Sequence, residues 1–395
     1  MDAVSNPYAP GAGNPPPELA GRAEVLKNIE VALKRCAQGR PAQYPILVGL
    51  RGVGKTVLLV KAASMAEEQG FIVLDVEAHE GKTLAELLVP GIRKALFALN
   101  LVDNAKDKAR RGLRVLKSFL GGFKISFAGF EIGVDAEAGA ADSGDLEADL
   151  PELLSALGDA AAAAGRPMAL IIDELQYLSG TEMSALIMAM HRINQRSLPV
   201  ALIGAGLPQL LGLAGNSKSY AERLFTYPPI GALSAADAIA AIEHPAQQER
   251  VVFERDATLE VMRVTGCYPY FLQQWAHDSW NAAVGPAIVK ADVEAATVSS
   301  IRALDDSFFK VRFDRCTPAE KKYMRALAEL GPGPHRSSDI AEVLGVKITS
   351  VAPTRNALIR KGMIYSPAYG DTAFTVPLFD DYLRRAMPDP TPSAP

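Results

Sequence analysis

The segment Gly49-Leu50-Arg51-Gly52-Val53-Gly54-Lys55-Thr56 constrains this chain more than any other part of it. It has the spacing G-x-x-x-x-G-K-[ST], and it lies between a short apolar run, Tyr44 to Val48, and an apolar stretch of helical character that reaches Gln69. A buried strand, a glycine turn and a helix in that order gather backbone N–H groups at the positive end of a helix, where phosphate oxygens bind. Gly49, Gly52 and Gly54 carry no Cβ, so the main chain of the loop can turn inward. Arg51, Val53 and Val57 belong to the same cradle, Lys55 is placed to reach the β and γ phosphates, and Thr56 offers its hydroxyl to Mg²⁺. The alternative is a chance glycine turn, which the strand and helix on either side argue against. A nucleoside triphosphate with Mg²⁺ is the ligand this segment implies.

A second signal comes in Met168-Ala-Leu-Ile-Ile-Asp-Glu, an apolar strand that ends in two carboxylates. The carboxyl edge of an open α/β sheet is where such folds bind ligands. Asp173 fits the acidic partner of a magnesium shell, and Glu174 fits the base that orients or deprotonates an attacking water. A plain helix N-cap is the competing explanation for the pair.

Two further apolar runs, Phe71 to Val76 and Val200 to Gly204, are each bounded by helical segments. Strands alternating with helices predict a doubly wound α/β domain with a parallel sheet over residues 19–230. Residues 103–150 break the alternation and read as a basic helix followed by a hairpin, inserted into that domain. Residues 231–316 are helical throughout. Residues 317–386 run helix, helix, turn, helix and two short strands around Tyr369-Gly370-Asp371, which is the order of a winged helix. Residues 1–18 and 387–395 are rich in Pro, Gly, Ala and Asn or Ser and read as disordered tails.

Composition narrows the classes further. The chain has 395 residues, 49% hydrophobic and 22% charged, enough for two or three cores. No run of 18 apolar residues or signal-peptide pattern is present, so a cytoplasmic protein without membrane contact is expected. Cys36, Cys267 and Cys316 lie far apart and form no metal or redox pair, and the five histidines have no ligand spacing. The net charge of −4 gives no global pull toward nucleic acid.

The loop Gly49–Thr56, the strand ending in Asp173-Glu174, the helical segment after it and the C-terminal winged helix together resemble an AAA+ P-loop ATPase. The likeness is to the Orc/Cdc6-like and archaeal-type ATPase group, with features of the related STAND switch ATPases, and it covers about residues 18 to 386. It implies ATP as the nucleotide; no Asn-Lys-x-Asp motif for guanine is visible. Gly21-Arg22-Ala23-Glu24 is similar to the segment that lies near the adenine in these families, which makes Arg22 a binding residue. Arg223 stands where the family places an arginine finger that completes a neighbour's site, which would imply a nucleotide-dependent homo-oligomer; a surface arginine paired with Glu222 is the alternative. Gly266 and Pro269 resemble the Gly-x-Pro element of STAND proteins, whereas Gly204, Ala205 and Gly206 offer no side chain where the family has its polar sensor. The resemblance therefore implies either a slow ATP hydrolase or a nucleotide switch with little turnover that acts through protein contacts.

Arg355, Arg360 and Lys361 lie on or near the second helix of the helix-turn-helix and are the candidate contacts to double-stranded DNA. From Thr317 to Arg385 ten Lys and Arg stand against seven Asp and Glu, a local charge of +3. A winged helix used for protein contact is the alternative.

Overall fold

A computed structural model describes residues 1–11, 13–125, 133–217 and 221–388. Its contacts divide the chain into two compact units. One comprises Ala23–Val48 and Lys55–Pro229; the other comprises Met1–Arg22, the loop Gly49–Gly54, and the chain from Ile230 onward.

The first unit is built on β1 (Tyr44–Gly49), β2 (Ile72–Glu77), β3 (Met168–Asp173), β4 (Val200–Gly206) and β5 (Phe225–Thr226). They lie in the order β2-β3-β4-β1-β5, and every neighbouring pair is parallel. β4 is buried along its whole length and β3 everywhere except Asp173. Strands covered on both faces need unbroken apolar sequence, and these two have it. The doubly wound parallel sheet expected from the strand and helix alternation is thus the observed one.

The helices of this unit are α1 (Ala23–Ala37), α2 (Lys55–Glu68), α3 (Leu84–Asn100), α4 (Lys106–Gly122), α5 (Leu146–Ala164), α6 (Gly180–Gln195), α7 (Leu210–Ser217) and the single turn α8 (Ala221–Leu224). Their ends follow local chemistry. Thr83 with Glu86 and Ser179 with Glu182 form capping boxes, and α5 runs from an Asp145 cap to a left-handed Gly165. Glu182 closes more than its own helix, because its second oxygen accepts from the Leu84 N–H at 2.6 Å in the first turn of α3.

The basic helix expected in the 103–150 insertion is α4, whose Arg111 and Arg114 reach Glu137 at 3.1 and 3.4 Å. The hairpin expected after it is centred on residues outside those described; Lys124, Ile125 and residues 133–145 are not strand.

The second unit continues with β6 (Pro229–Ile230), α9 (Ala235–Gln248), β7 (Val252–Phe253), α10 (Arg255–Thr265), α11 (Pro269–Ala282), β8 (Ala287–Ile288) and α12 (Lys290–Ala303). A π-turn, Leu304–Phe309, joins α12 to α13 (Lys310–Asp314). Then follow α14 (Pro318–Glu329), β9 (His335–Arg336), α15 (Ser337–Val343), α16 (Ile348–Arg360), β10 (Ile364–Tyr365), β11 (Asp371–Phe374) and α17 (Phe379–Ala386). The last three strands form an antiparallel sheet in the order β10-β11-β9. Phe309, Phe379 and Tyr382 pack ring against ring with centroids 5.4 to 5.6 Å apart, which ties the π-turn to α17.

Two expectations are corrected here. The first residues do not form a disordered tail: Tyr8 is buried, its hydroxyl donates to the Ile242 carbonyl, and its ring meets Phe253 and Trp280 edge-on. One aromatic side chain supplies the apolar anchor that average composition conceals. The second correction concerns α16, which begins at Ile348 rather than Ser350, so Pro353 is its sixth residue and lies inside the helix rather than in its first turn.

Because Glu182 caps both α3 and α6, Glu182→Ala should lower stability by about 1–2 kcal/mol, the scale of a lost helix cap. Glu86→Ala, which removes only one cap, should cost less. Urea midpoints of the two variants and the parent check the order.

Candidate active site

β1 delivers the chain to the glycine loop at Gly49, where an added Cβ would lie 2.1 Å from the Ile230 carbonyl oxygen. Nothing larger than glycine fits. Gly52 and Gly54 have φ of 80° and 91°, the left-handed region that side chains disfavour.

The loop's main chain is bonded on its outer side. The Arg51 N–H donates to the Thr375 carbonyl at 3.3 Å, and the Arg51 side chain donates through Nε to the Gly362 carbonyl at 3.4 Å. The Tyr268 hydroxyl donates to the Arg51 carbonyl, and the Tyr270 N–H donates to the Gly52 carbonyl at 3.2 Å. Burial pushes the Tyr268 hydroxyl pKa up, which keeps it a donor. Arg22 is buried and donates to the carbonyls of Val53 at 3.3 Å and Gly231 at 2.6 Å. Burial lowers its pKa while Asp237 opposes the shift, and an arginine stays charged under such conditions.

Pro269 is the first residue of α11, where its missing N–H costs nothing. The loop contacts come from its neighbours Tyr268 and Tyr270, which the sequence reading did not single out. Their signal was the pair of tyrosines around a proline at a helix start.

In the first unit, Lys55 opens α2 and is buried, and Val57 is half-buried. The Thr56 hydroxyl donates to Asp173 Oδ2 at 2.6 Å, while Asp173 Oδ1 accepts from the Glu174 N–H at 2.7 Å. Burial raises the Asp173 pKa, and the Thr56 hydrogen bond partly offsets that rise. Glu174 has φ 55° and ψ 38°, an uncommon conformation for a residue with a side chain, and it turns the chain sharply after β3. A pocket of about 310 Å³ is lined by Thr56, Asp75, Glu77 and Asp173 among others. Among the described residues no group of three or more His, Cys, Asp or Glu is arranged to hold a metal. Mg²⁺ needs no such cage, since one or two protein oxygens suffice when phosphates and waters fill the remaining positions. A hydroxyl and a buried carboxylate 2.6 Å apart fit that donor set.

The remaining candidates lie elsewhere. Arg223 is exposed on α8, and its backbone carbonyl accepts from Gln43 at 3.2 Å. Arg355 is occupied inside its own module, donating to Thr372 Oγ1 at 2.9 Å and to Ser366 Oγ and the Asp371 carbonyl at 2.8 Å. Lys361 pairs with Glu320 at 2.7 Å and donates to the Arg315 carbonyl at 3.1 Å. Arg360 is exposed.

A phosphate loop, an adjoining Thr-Asp pair and a parallel sheet with β4 between β1 and β3 define a P-loop nucleotide hydrolase. Residues 18–203 match the family described as AAA ATPase domain, and residues 306–383 match a domain of unknown function, DUF8462. The chain is an AAA+ P-loop ATPase, an ATP-binding hydrolase whose residues 18–203 belong to the AAA ATPase domain family. No curated protein matches it in sequence. Among solved structures, the Walker-type ATPase paby2304 of Pyrococcus abyssi is 16% identical, with 93% of this chain and 96% of that one covered at a TM-score of 0.57. That likeness is one of fold. The Orc1 protein of Aeropyrum pernix in complex with DNA (14% identical, 98% and 96% covered, TM-score 0.49) and the RuvB Holliday junction branch migration motor of Thermotoga maritima (15%, 94% and 96%, 0.43) overlap too loosely to bear on this chain. Among the described residues no helix is long and apolar enough to cross a membrane.

The raised pKa of Asp173 fixes the sign of a pH effect. A carboxyl whose folded pKa lies above its unfolded value favours the folded state below the ordinary carboxylate range, and that contribution is lost as pH rises through the raised value. Asp173→Asn should therefore leave the nucleotide-free protein at least as stable at neutral pH while removing the stabilisation by Mg²⁺ with ATP. Thermal melts with and without Mg·ATP read both effects.

Proposed function

We propose that this chain binds ATP with Mg²⁺, hydrolyses it slowly, and uses the bound nucleotide to reset the contacts of its C-terminal half with the phosphate loop. The observation that carries this reading is the set of hydrogen bonds from Tyr270 to Gly52 and from Arg51 to Thr375 and Gly362. A loop that must turn its N–H groups toward phosphates cannot reorganise without disturbing partners bonded to the same main chain. Residues 19–230 act as the ATPase domain, 231–316 as a helical lid and 317–386 as a winged-helix module.

Within this reading Gly49, Gly52, Val53, Gly54 and Val57 cradle the phosphates, Lys55 neutralises their charge, and Thr56 with Asp173 holds Mg²⁺. The ion supplies charge neutralisation at the β and γ phosphates when bound. Glu174 receives the proton of the attacking water. Arg22 lies near the base. The Orc/Cdc6-like resemblance and the free cysteines Cys36, Cys267 and Cys316 support ATP as nucleotide and the cytoplasm as compartment. Exposed Arg223 is the candidate finger into a neighbour's site within a homo-oligomer.

The test is amide hydrogen exchange at Arg51 and Tyr270, whose N–H groups make the outer bonds, together with steady-state hydrolysis. Mg·ATP should change their protection in the parent and not in Lys55→Ala, and Glu174→Gln should lose turnover while keeping ATP affinity. Unchanged exchange at saturating ATP would sink the coupling, and normal turnover in Glu174→Gln would sink the assignment of the base. A decline in turnover for Arg223→Ala that is independent of protein concentration and assembly would remove the finger.

DNA binding is the second reading. It is favoured by one observation: Lys347, Thr349, Ser350, Ala352, Pro353, Asn356 and Arg360 leave one side of α16 and its start exposed, as a groove-reading helix requires. Arg360→Ala should weaken binding to duplex DNA and reduce the salt slope by about 0.9. Arg355→Ala should act on the stability of the module instead, since its guanidinium crosslinks β11 and Ser366. An unchanged slope in Arg360→Ala refutes the contact and leaves α16 as a surface for protein.

A further inference from the structure

The turn after β3 contains a side chain that the site description has not used. Glu174 adopts its left-handed conformation, and a 3₁₀ turn, Leu175–Tyr177, follows at once. This geometry brings Gln176 back beside Glu174, where its Nε2 donates to Glu174 Oε2. The other end of the same carboxamide accepts from the N–H of Leu207 at 2.9 Å, the first residue after β4.

The chemistry of the three groups fixes the orientation of the amide. A backbone N–H only donates and an ionised carboxylate only accepts, so the carbonyl of Gln176 must face Leu207 and its NH₂ must face Glu174. A neutral amide satisfies both at once; a glutamate would lack the donor and bring a second negative charge against Glu174.

The glycines at the end of β4 make this possible. A Cβ on Gly206 would lie 2.9 Å from Gln176 Oε1, and one on Gly204 would lie 2.4 Å from Leu175 Cδ1. These are the positions where the strand carries no polar side chain of its own. Their bareness leaves room for the neighbouring turn, and the polar group at the end of β4 is supplied by Gln176 from that turn.

We infer that Gln176 is a positioning residue that tethers the Glu174 carboxylate to the Leu207 main chain at the end of β4. The inference rests on Glu174 being the base. The tether limits the side-chain freedom that Glu174 would otherwise lose on reaching the attacking water, and it ties that carboxylate to the adjacent strand.

Gln176→Leu keeps the volume and removes both hydrogen bonds. On the full chain with Mg·ATP, kcat should fall by about tenfold or more, while KM and the affinity for a fluorescent ATP analogue stay within about twofold. Gly206→Ala, which crowds the carboxamide from the opposite strand, should reproduce the split. On the Glu174→Gln background Gln176→Leu should have no further effect, because a residue acting through Glu174 has nothing left to position. Unchanged kcat in Gln176→Leu overturns the tether if Glu174→Gln is inactive. A parallel loss of nucleotide affinity, or a further fall on the Glu174→Gln background, also overturns it by assigning Gln176 a structural role. Normal turnover in Glu174→Gln is the separate result that would remove the base itself.

Discussion

The hydrogen bond from Thr56 to Asp173 joins the first turn of α2 to the carboxyl end of β3, two segments separated by more than a hundred residues of chain. The parallel sheet makes it possible, because β1 and β3 then end at the same edge although β4 lies between them. An antiparallel strand at either place would carry the hydroxyl and the carboxylate to opposite edges. The cost of the arrangement is visible in the raised pKa of Asp173: a buried carboxylate is held with one hydroxyl and one N–H as partners, and a cation completes what these leave unsatisfied.

Much of this was legible in the sequence, and the reason is physical. The loop Gly49–Thr56 is a contiguous device, so its backbone demands are written in adjacent residues. β3 and β4 are buried on both faces, so their apolar runs cannot be mistaken for surface. What escaped the reading depends on residues brought together from a distance. Tyr268 and Tyr270 act on Arg51 and Gly52 across more than two hundred positions. Tyr8 gave no pattern, since a single anchoring ring has no period. Gln176 was invisible because its role depends on the left-handed turn at Glu174 and on glycines in a different strand.

Charge was the least informative property. Arg355 and Lys361 stand where basic residues suggest a phosphate backbone, yet each is engaged with oxygens of its own module. A residue's charge reports that it needs a partner; only tertiary structure reports which partner it has. Arg111 and Arg114 on α4 make the same point, since the basic stretch that carries them turns toward Glu137.

The π-turn at Leu304–Phe309 has a consequence for how this protein tolerates length changes. Such a turn holds one residue more than the α-helix around it. Deleting one residue there would let regular helix close over the gap, but everything following on the same helix would be re-aimed by about 100°, the angle of a single α-helical step. Phe309 would leave Phe379 and Tyr382, and the aromatic packing of α17 would lose its register. A conservative substitution in this stretch should be absorbed far more readily than the loss of any one of its residues, so sequence drift here is confined to exchange at constant length.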